Sequence, residues 1–242
     1  MLGFIENWRV RRKLLSEVDG KLLIDPAVRD VMIGAPIDIM PGFHGPSDMK
    51  LRGGRGKDHP RYGRFIYALT RHCKPDLVVE VGTFAGGTSV GWATALKENC
   101  TGRLICVDND TYAKGAYPAL ARENISRTGI AADRVELRSG DSRELLPRLA
   151  EELRGKVDFY LVDGDHTFEG ATADIRDGLP MVKPGGFVLV HDVDRGRRMD
   201  EQTPEHPHPV YEAFMAAAKE HGLEWCILKF IRKHLGLLRV LD

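Results

Sequence analysis

From residue 75 onward the chain alternates short apolar runs with amphipathic stretches. DLVVEVG (76–82) is a continuous apolar run closed by Pro75 and Gly82, the pattern of a strand buried on both faces. Residues 88–97 then read as a helix. GRLICVD (102–108) predicts a second strand and 117–128 a second helix. RVELRSGD (134–141) predicts a third strand, and ELLPRLAEEL (144–153) a helix in spite of Pro147. VDFYLVDGD (157–165) predicts a fourth strand, followed by helix over most of 168–181. KPGGFVLVHD (183–192) reads as a turn and a fifth strand. This βαβαβ rhythm predicts a Rossmann-like, doubly wound α/β fold: a parallel sheet, helices on both faces, right-handed crossovers.

Past Asp192 the rhythm breaks. Residues 193–208 are polar and rich in Arg, Pro and His, which predicts a long loop at the carboxyl edge of the sheet, where loops often cover a site. A helix follows over 209–222. LEWCILKF and LGLLRVLD then read as two antiparallel strands, completing a mostly parallel seven-stranded sheet with a C-terminal hairpin. Residues 1–74 lack the strand rhythm. The start mixes Phe4, Ile5, Trp8 and Leu14 with Arg9, Arg11, Arg12 and Lys13, which predicts an amphipathic helix packed on its own domain or on a second subunit. That favours a homodimer or larger homo-oligomer over a membrane-surface role. Residues 33–60 are dense in Gly and Pro, as expected of an arm or a lid, and 61–72 read as a helix feeding the first strand. The division expected is an N-terminal helical arm or lid over 1–60 and one α/β domain over 61–242.

Composition narrows the partners. Lys+Arg and Asp+Glu are both 35, so the basic surplus of a nucleic-acid binder is absent. No apolar run has the length of a membrane span, and no secretory signal opens the chain, so a cytoplasmic location is expected. The four cysteines lack metal-ligand spacing, and Cys106 lies inside an apolar run, as a small buried thiol would.

The chemistry is concentrated at the strand ends. In open α/β sheets, ligands lie beyond the carboxyl ends of the strands, beside the first. There the chain reads Glu80-x-Gly82-x-x-x-Gly86-Gly87, a turn whose glycines let backbone approach a ligand, before a helix with free N–H groups. It is not the GxGxxG of a dinucleotide fold, because Phe84 stands at the second glycine. A glycine turn alone also suits a tight strand–helix connection that binds nothing. Later strand ends add acids: Asp108, Asp141, Asp163 with Asp165, and Asp192. Any one of them could be a helix cap. Five at successive strand ends converge on one edge.

These segments together resemble the class I S-adenosylmethionine-dependent methyltransferases. VVEVGTFAGGTS is similar to that superfamily's first motif, LICVDND to its acidic second-strand end, and SGDSRELLP, LVDGDHTFEGATADI and LPMVKPGGFVLVHD to its later motifs. The last two resemble the branch of macrolide-sugar O-methyltransferases and cephalosporin-hydroxylase-like proteins. The resemblance covers residues 60–242. It implies a cofactor, S-adenosyl-L-methionine, with its methionine part near Glu80, Gly82, Thr83, Phe84 and Gly86. Thr88 and Ser89 would stand at the helix start, Asp108 at the ribose, Asp141 and Ser142 at the adenine, and Asp163 close by.

Methyl transfer to a hydroxyl needs a base or a metal, since a hydroxyl is a poor nucleophile. Asp163 offers a hard oxygen ligand, and His166, three residues on, a base that titrates near neutrality. In the sugar enzymes that the chain resembles, an aspartate after strand four and an acidic pair after strand five hold the metal. Carried over, the metal set is Asp163, His191 and Asp192, for magnesium or manganese, with His166 as catalytic base. His191 departs from the pattern, standing where an acid is expected. Histidine suits manganese, iron or zinc better than magnesium, or it could simply orient a neighbour. The expected acceptor is a hydroxylated small molecule, a sugar or glycosylated metabolite.

Two other classes compete: a nicotinamide oxidoreductase on a similar sheet, and a non-catalytic cofactor-binding partner. The missing GxGxxG argues against the first and the Asp163/His166/Asp192 set against the second. A hydroxylase finds no His-x-Asp…His iron triad in the spacing. Arg195, Arg197 and Arg198 could face an anionic substrate or solvent, and His206 and His208, flanked by prolines, read as loop rather than a metal pair.

Overall fold

The computed structural model describes residues 17–20, 59–111, 116–195, 201–229 and 234–241. Elements run in the order β1 (Glu17–Gly20), α1 (His59–Cys73), β2 (Leu77–Val81), α2 (Gly87–Asn99), β3 (Arg103–Asp108), α3 (Ala116–Ser126), β4 (Val135–Ser139), α4 (Ser142–Glu152), β5 (Val157–Val162), α5 (Phe168–Gly178), β6 (Val182–His191), α6 (Pro209–Glu220), β7 (Glu224–Lys229) and β8 (His234–Arg239). The sheet order is β1-β7-β8-β6-β5-β2-β3-β4. Strands β2 to β6 pair in parallel, and β8 pairs antiparallel with both β6 and β7. The five parallel strands and the C-terminal hairpin are those the hydrophobic pattern predicts.

The eighth strand is not in that pattern. Glu17–Gly20 pairs antiparallel with β7, so part of the expected helical arm is a strand. Its sequence, EVDG, has no apolar run, because a short edge strand is held by one row of backbone bonds rather than by two buried faces. The amphipathic helix expected over 1–15, the arm or lid over 33–60 (up to the start of α1) and Arg197 and Arg198 lie outside the described residues.

Two apolar layers enclose the sheet. Phe65 and Ile66 of α1, Trp92 and Leu96 of α2 and Ile125 of α3 pack on one face, with Val78, Leu104 and Leu161 beneath them. Leu146 and Leu149 of α4, Ile175 of α5 and Phe214 of α6 cover the other, over Val79, Val107 and Val190. Helix α2 is buried along most of its length, and its small residues allow close approach: a Cβ on Gly91 would lie 3.2 Å from the Gly63 carbonyl oxygen. Helix α4 continues through Pro147, whose missing N–H costs one bond while Leu146, Leu149 and Ala150 stay buried. The expected turn at 183–186 is a bulge inside β6 instead. The register with β5 shifts between Val157 and Phe159, and Gly185 (φ 77°) bonds to the Val240 carbonyl. Asp158 ties the lower edge of the sheet, accepting the N–H groups of Asp76 and Leu77, each at 2.9 Å, and pairing with Lys183. No helix among the described residues is long and apolar enough to cross a membrane.

Candidate active site

Strand β2 has β5 on one side and β3 on the other, so the chain changes direction across the sheet at its carboxyl end. The turn after β2 sits at that crossing. Gly82 has φ 85°, and its N–H bonds to Val107 O at 2.9 Å. A Cβ there would lie 1.9 Å from the Asp163 carbonyl oxygen, so only glycine lets the turns after β2 and β5 meet. Phe84 and Gly86 also take positive φ, 49° and 81°. The Phe84 N–H donates to Asp108 Oδ2 at 2.7 Å, and the other oxygen of Asp108 accepts from Asp110 N–H at 2.9 Å. Asp108 therefore shapes the glycine turn from the end of β3.

On the β3–β4 side of this turn lies a cleft lined by Thr83, Phe84, Asp108, Asp110, Arg138 and Ser139, among others. Tyr117 packs its ring 4.1 Å from that of Phe84. Arg122 of α3 and Arg138 of β4, absent from the expected residues, line this cleft with Asp108, and Tyr117, also unexpected, joins through Phe84.

Glu80, Thr88 and Ser89 are buried beneath the turn. Desolvation pushes the Glu80 carboxyl well above the usual range; the Ser89 hydroxyl opposes this, and the charges of Asp163 and Asp108 reinforce it. Its Oε2 has no hydrogen-bond partner. Asp141 caps α4, accepting the Arg143 N–H at 2.9 Å, and is exposed, with Ser142 opening the helix. Asp165 accepts the Thr167 N–H at 2.9 Å and lies 3.4 Å from Arg143. Of the five converging acids, Asp141 and Asp165 thus hold local turns.

On the β5–β6 side, four side chains close on one another. Asp163 follows β5, His166 lies three residues on, His191 ends β6 and Asp192 follows it. One candidate ligand atom from each lies within 4.8 Å of the others. Asp163 Oδ1 is 2.7 Å from His191 Nδ1 and 3.4 Å from His166 Nε2. Asp192 Oδ2 is 3.8 Å from His166 Nε2 and 3.7 Å from His191 Nδ1. Asp192 adopts φ 59°, a left-handed conformation that aspartate tolerates better than most residues. His191 and Asp192 are buried, while Asp163 and His166 are half-buried. Burial opposes a charge on His166. The Asp163 hydrogen bond and the charges of Asp163, Asp192 and Glu201 outweigh it and hold its pKa above the usual histidine value.

Two imidazoles and two carboxylates form a donor set of the right number for a divalent cation. The sequence had shown no iron-type triad; the tertiary fold nevertheless assembles two histidines with two aspartates, because β5 and β6 are neighbours.

The loop after β6 behaves as expected in its described part. His206 is no metal partner of His208. Its ring stacks on Phe168 at 3.9 Å and its Nδ1 lies 2.8 Å from Glu212, which also accepts the His208 N–H. The Arg195 guanidinium sits 5.0 Å from the centre of the Tyr211 ring.

Comparison with known proteins gives this geometry a context. Residues 79–193 match a family model described as a methyltransferase domain. A protein described as a catechol O-methyltransferase, from Niastella koreensis, is 32% identical over 147 residues, 60% of this chain and 62% of the relative. The match thus spans less than two thirds of that relative's length. An O-methyltransferase from Bacillus cereus, solved in complex with SAH, superposes with a TM-score of 0.61 at 18% identity, covering 90% of this chain and 92% of that one. The O-methyltransferase TomG from Streptomyces achromogenes, involved in tomaymycin synthesis and solved with SAM, gives 0.61 at 18% identity over 98% and 96% of the two chains. At such identity the likeness is one of fold. None of these three is described as a sugar enzyme.

Proposed function

We propose that this chain is a class I S-adenosylmethionine-dependent methyltransferase and that it methylates a hydroxyl on a small molecule with a base and a divalent cation beside the glycine turn. One observation carries the reading: the turn at Gly82 has a cleft with Asp108 on one side and the His166 cluster on the other. A nucleoside cofactor and an acceptor could then meet across a single turn.

S-adenosylmethionine supplies a methyl on a positive sulfonium, transferred by direct displacement. Asp108 offers an acceptor to the ribose hydroxyls, and the turn, with positive φ at Gly82, Phe84 and Gly86, brings backbone to the same edge. The carboxylates of Asp163 and Asp108 favour a cation at this edge. With Nε2 turned to the carboxylates, the His166 imidazole takes the proton of the acceptor hydroxyl on its other ring nitrogen. Asp163 and Asp192 orient that imidazole and stabilise the imidazolium. Asp163, His191 and Asp192 would hold a divalent cation, magnesium or manganese, whose charge would lower the pKa of the acceptor hydroxyl. The acceptor class is a sugar or glycosylated metabolite, and the name of the relative from Niastella koreensis adds catechols to the panel. All four cysteines are free thiols, which suits a reducing cytoplasm. No observation favours the nicotinamide alternative.

Calorimetric titration with S-adenosylhomocysteine tests the cofactor. Micromolar binding supports the proposal, and no binding by folded protein overturns it. Methyl transfer to catechols and glycosylated acceptors, with EDTA and then with added magnesium or manganese, tests the acceptor and the cation.

A further inference from the structure

Resting on that metal-assisted reading, we infer that the cluster selects a first-row transition-metal dication over magnesium, and that His191 sets the preference. Magnesium takes oxygen ligands, dehydrates reluctantly and keeps several waters. Imidazole nitrogen suits the later transition ions, and affinity for them rises along the first row. Here one of the three donors is an imidazole: His191 stands with Asp163 and Asp192, with the base His166 beside them, one candidate ligand atom of each within 4.8 Å of the rest.

His191 is the decisive imidazole because it is the buried one of the two. It ends β6, its side chain is 2% exposed, and its Nδ1 already lies 2.7 Å from Asp163 Oδ1 and 3.7 Å from Asp192 Oδ2. His166 is half-buried, the more exposed of the two imidazoles. A cation held by the two carboxylates would therefore meet the His191 imidazole at the end of β6, where magnesium favours an oxygen or a water. The charge balance agrees. Two carboxylates in a largely buried cluster are costly without a counter-charge, and a dication supplies it.

The test uses the full chain, stripped of metal with a chelator and titrated calorimetrically with manganese and with magnesium. Manganese, at the weak end of the first-row series, is expected to bind on the order of tenfold more tightly than magnesium. Pulsed EPR of the manganese-loaded protein is expected to show coupling to a directly bound nitrogen. His191→Asp should cut the manganese-to-magnesium ratio by about tenfold and weaken that coupling. If the variant does not fold, the ratio and the nitrogen coupling of the unaltered protein still decide. Equal binding of the two ions, or manganese without a nitrogen ligand, overturns the inference and leaves a metal-assisted enzyme standing. Binding of neither ion by a protein that binds S-adenosylhomocysteine overturns the metal-assisted reading as well, while methyl transfer survives.

Discussion

Gly82 and Asp163 meet backbone to backbone: a Cβ on Gly82 would fall 1.9 Å from the Asp163 carbonyl oxygen, and Gly82 itself has φ 85°. The contact sets the spacing between the cleft that carries Asp108 and the cluster that carries His166. Gly82→Ala should cost roughly 2–5 kcal/mol through strain and overpacking together. Denaturant unfolding reads this directly. A variant as stable as the parent would mean that the two turns are not locked to one another.

Asp108 has two tasks, and one substitution probes both. Its carboxylate accepts the N–H groups of Phe84 and Asp110 at 2.7 and 2.9 Å. Asp108→Ala should weaken S-adenosylhomocysteine binding about 10- to 100-fold, the loss expected for hydrogen bonds to a charged group. Circular dichroism should show the fold intact. Unchanged affinity would remove Asp108 from the cofactor site.

His166→Ala should lower turnover by about 10²- to 10⁴-fold, the usual contribution of a positioned base. Affinity for S-adenosylhomocysteine should stay within about twofold, because His166 lies on the β5–β6 side of the turn, away from the cleft. Normal turnover would assign the proton to another group.

Asp174, on α5, gives a pH signature unconnected with the cluster. It is buried, its Oδ2 has no hydrogen-bond partner, and desolvation raises its pKa to about 6, with the Ser142 hydroxyl opposing and the Asp165 charge adding. The folded form binds its proton more tightly than the unfolded chain does. Its contribution to stability is therefore fully present below the unfolded pKa, near 4, and is lost as pH rises through about 6. The penalty at neutral pH is at most about 3 kcal/mol. Asp174→Asn should be more stable than the parent at pH 7.5, with the gain gone at pH 4. Parallel stability curves for the two proteins would contradict this.

Much of the fold could be read from residue pattern because its cause is local. LVVEV and VDFYLV are apolar at every or nearly every position, as strands covered on both faces must be, and each element found there lies inside the range expected. Glu17–Gly20 escaped notice because nothing apolar marks an edge strand. At the site, Gly82, Asp108, Asp163, His166 and Asp192 stand out in sequence as strand-end residues of the right chemistry. Their burial and partners do not. Asp141 and Asp165 looked like members of the same acidic edge, yet their carboxylates hold the backbone N–H groups of Arg143 and Thr167.

The sequence by itself determined the α/β class, the place of the glycine turn and the chemical types at each strand end. These follow from hydrophobic period and from residue identity. The tertiary structure alone decided which strand ends are neighbours. His191 is 28 residues from Asp163 in the chain but 2.7 Å away in space, because β6 pairs with β5, and Tyr117 reaches Phe84 because α3 returns over β2 and β3. Strand order is set by packing many weak apolar contacts at once, and no short stretch of residues contains that information.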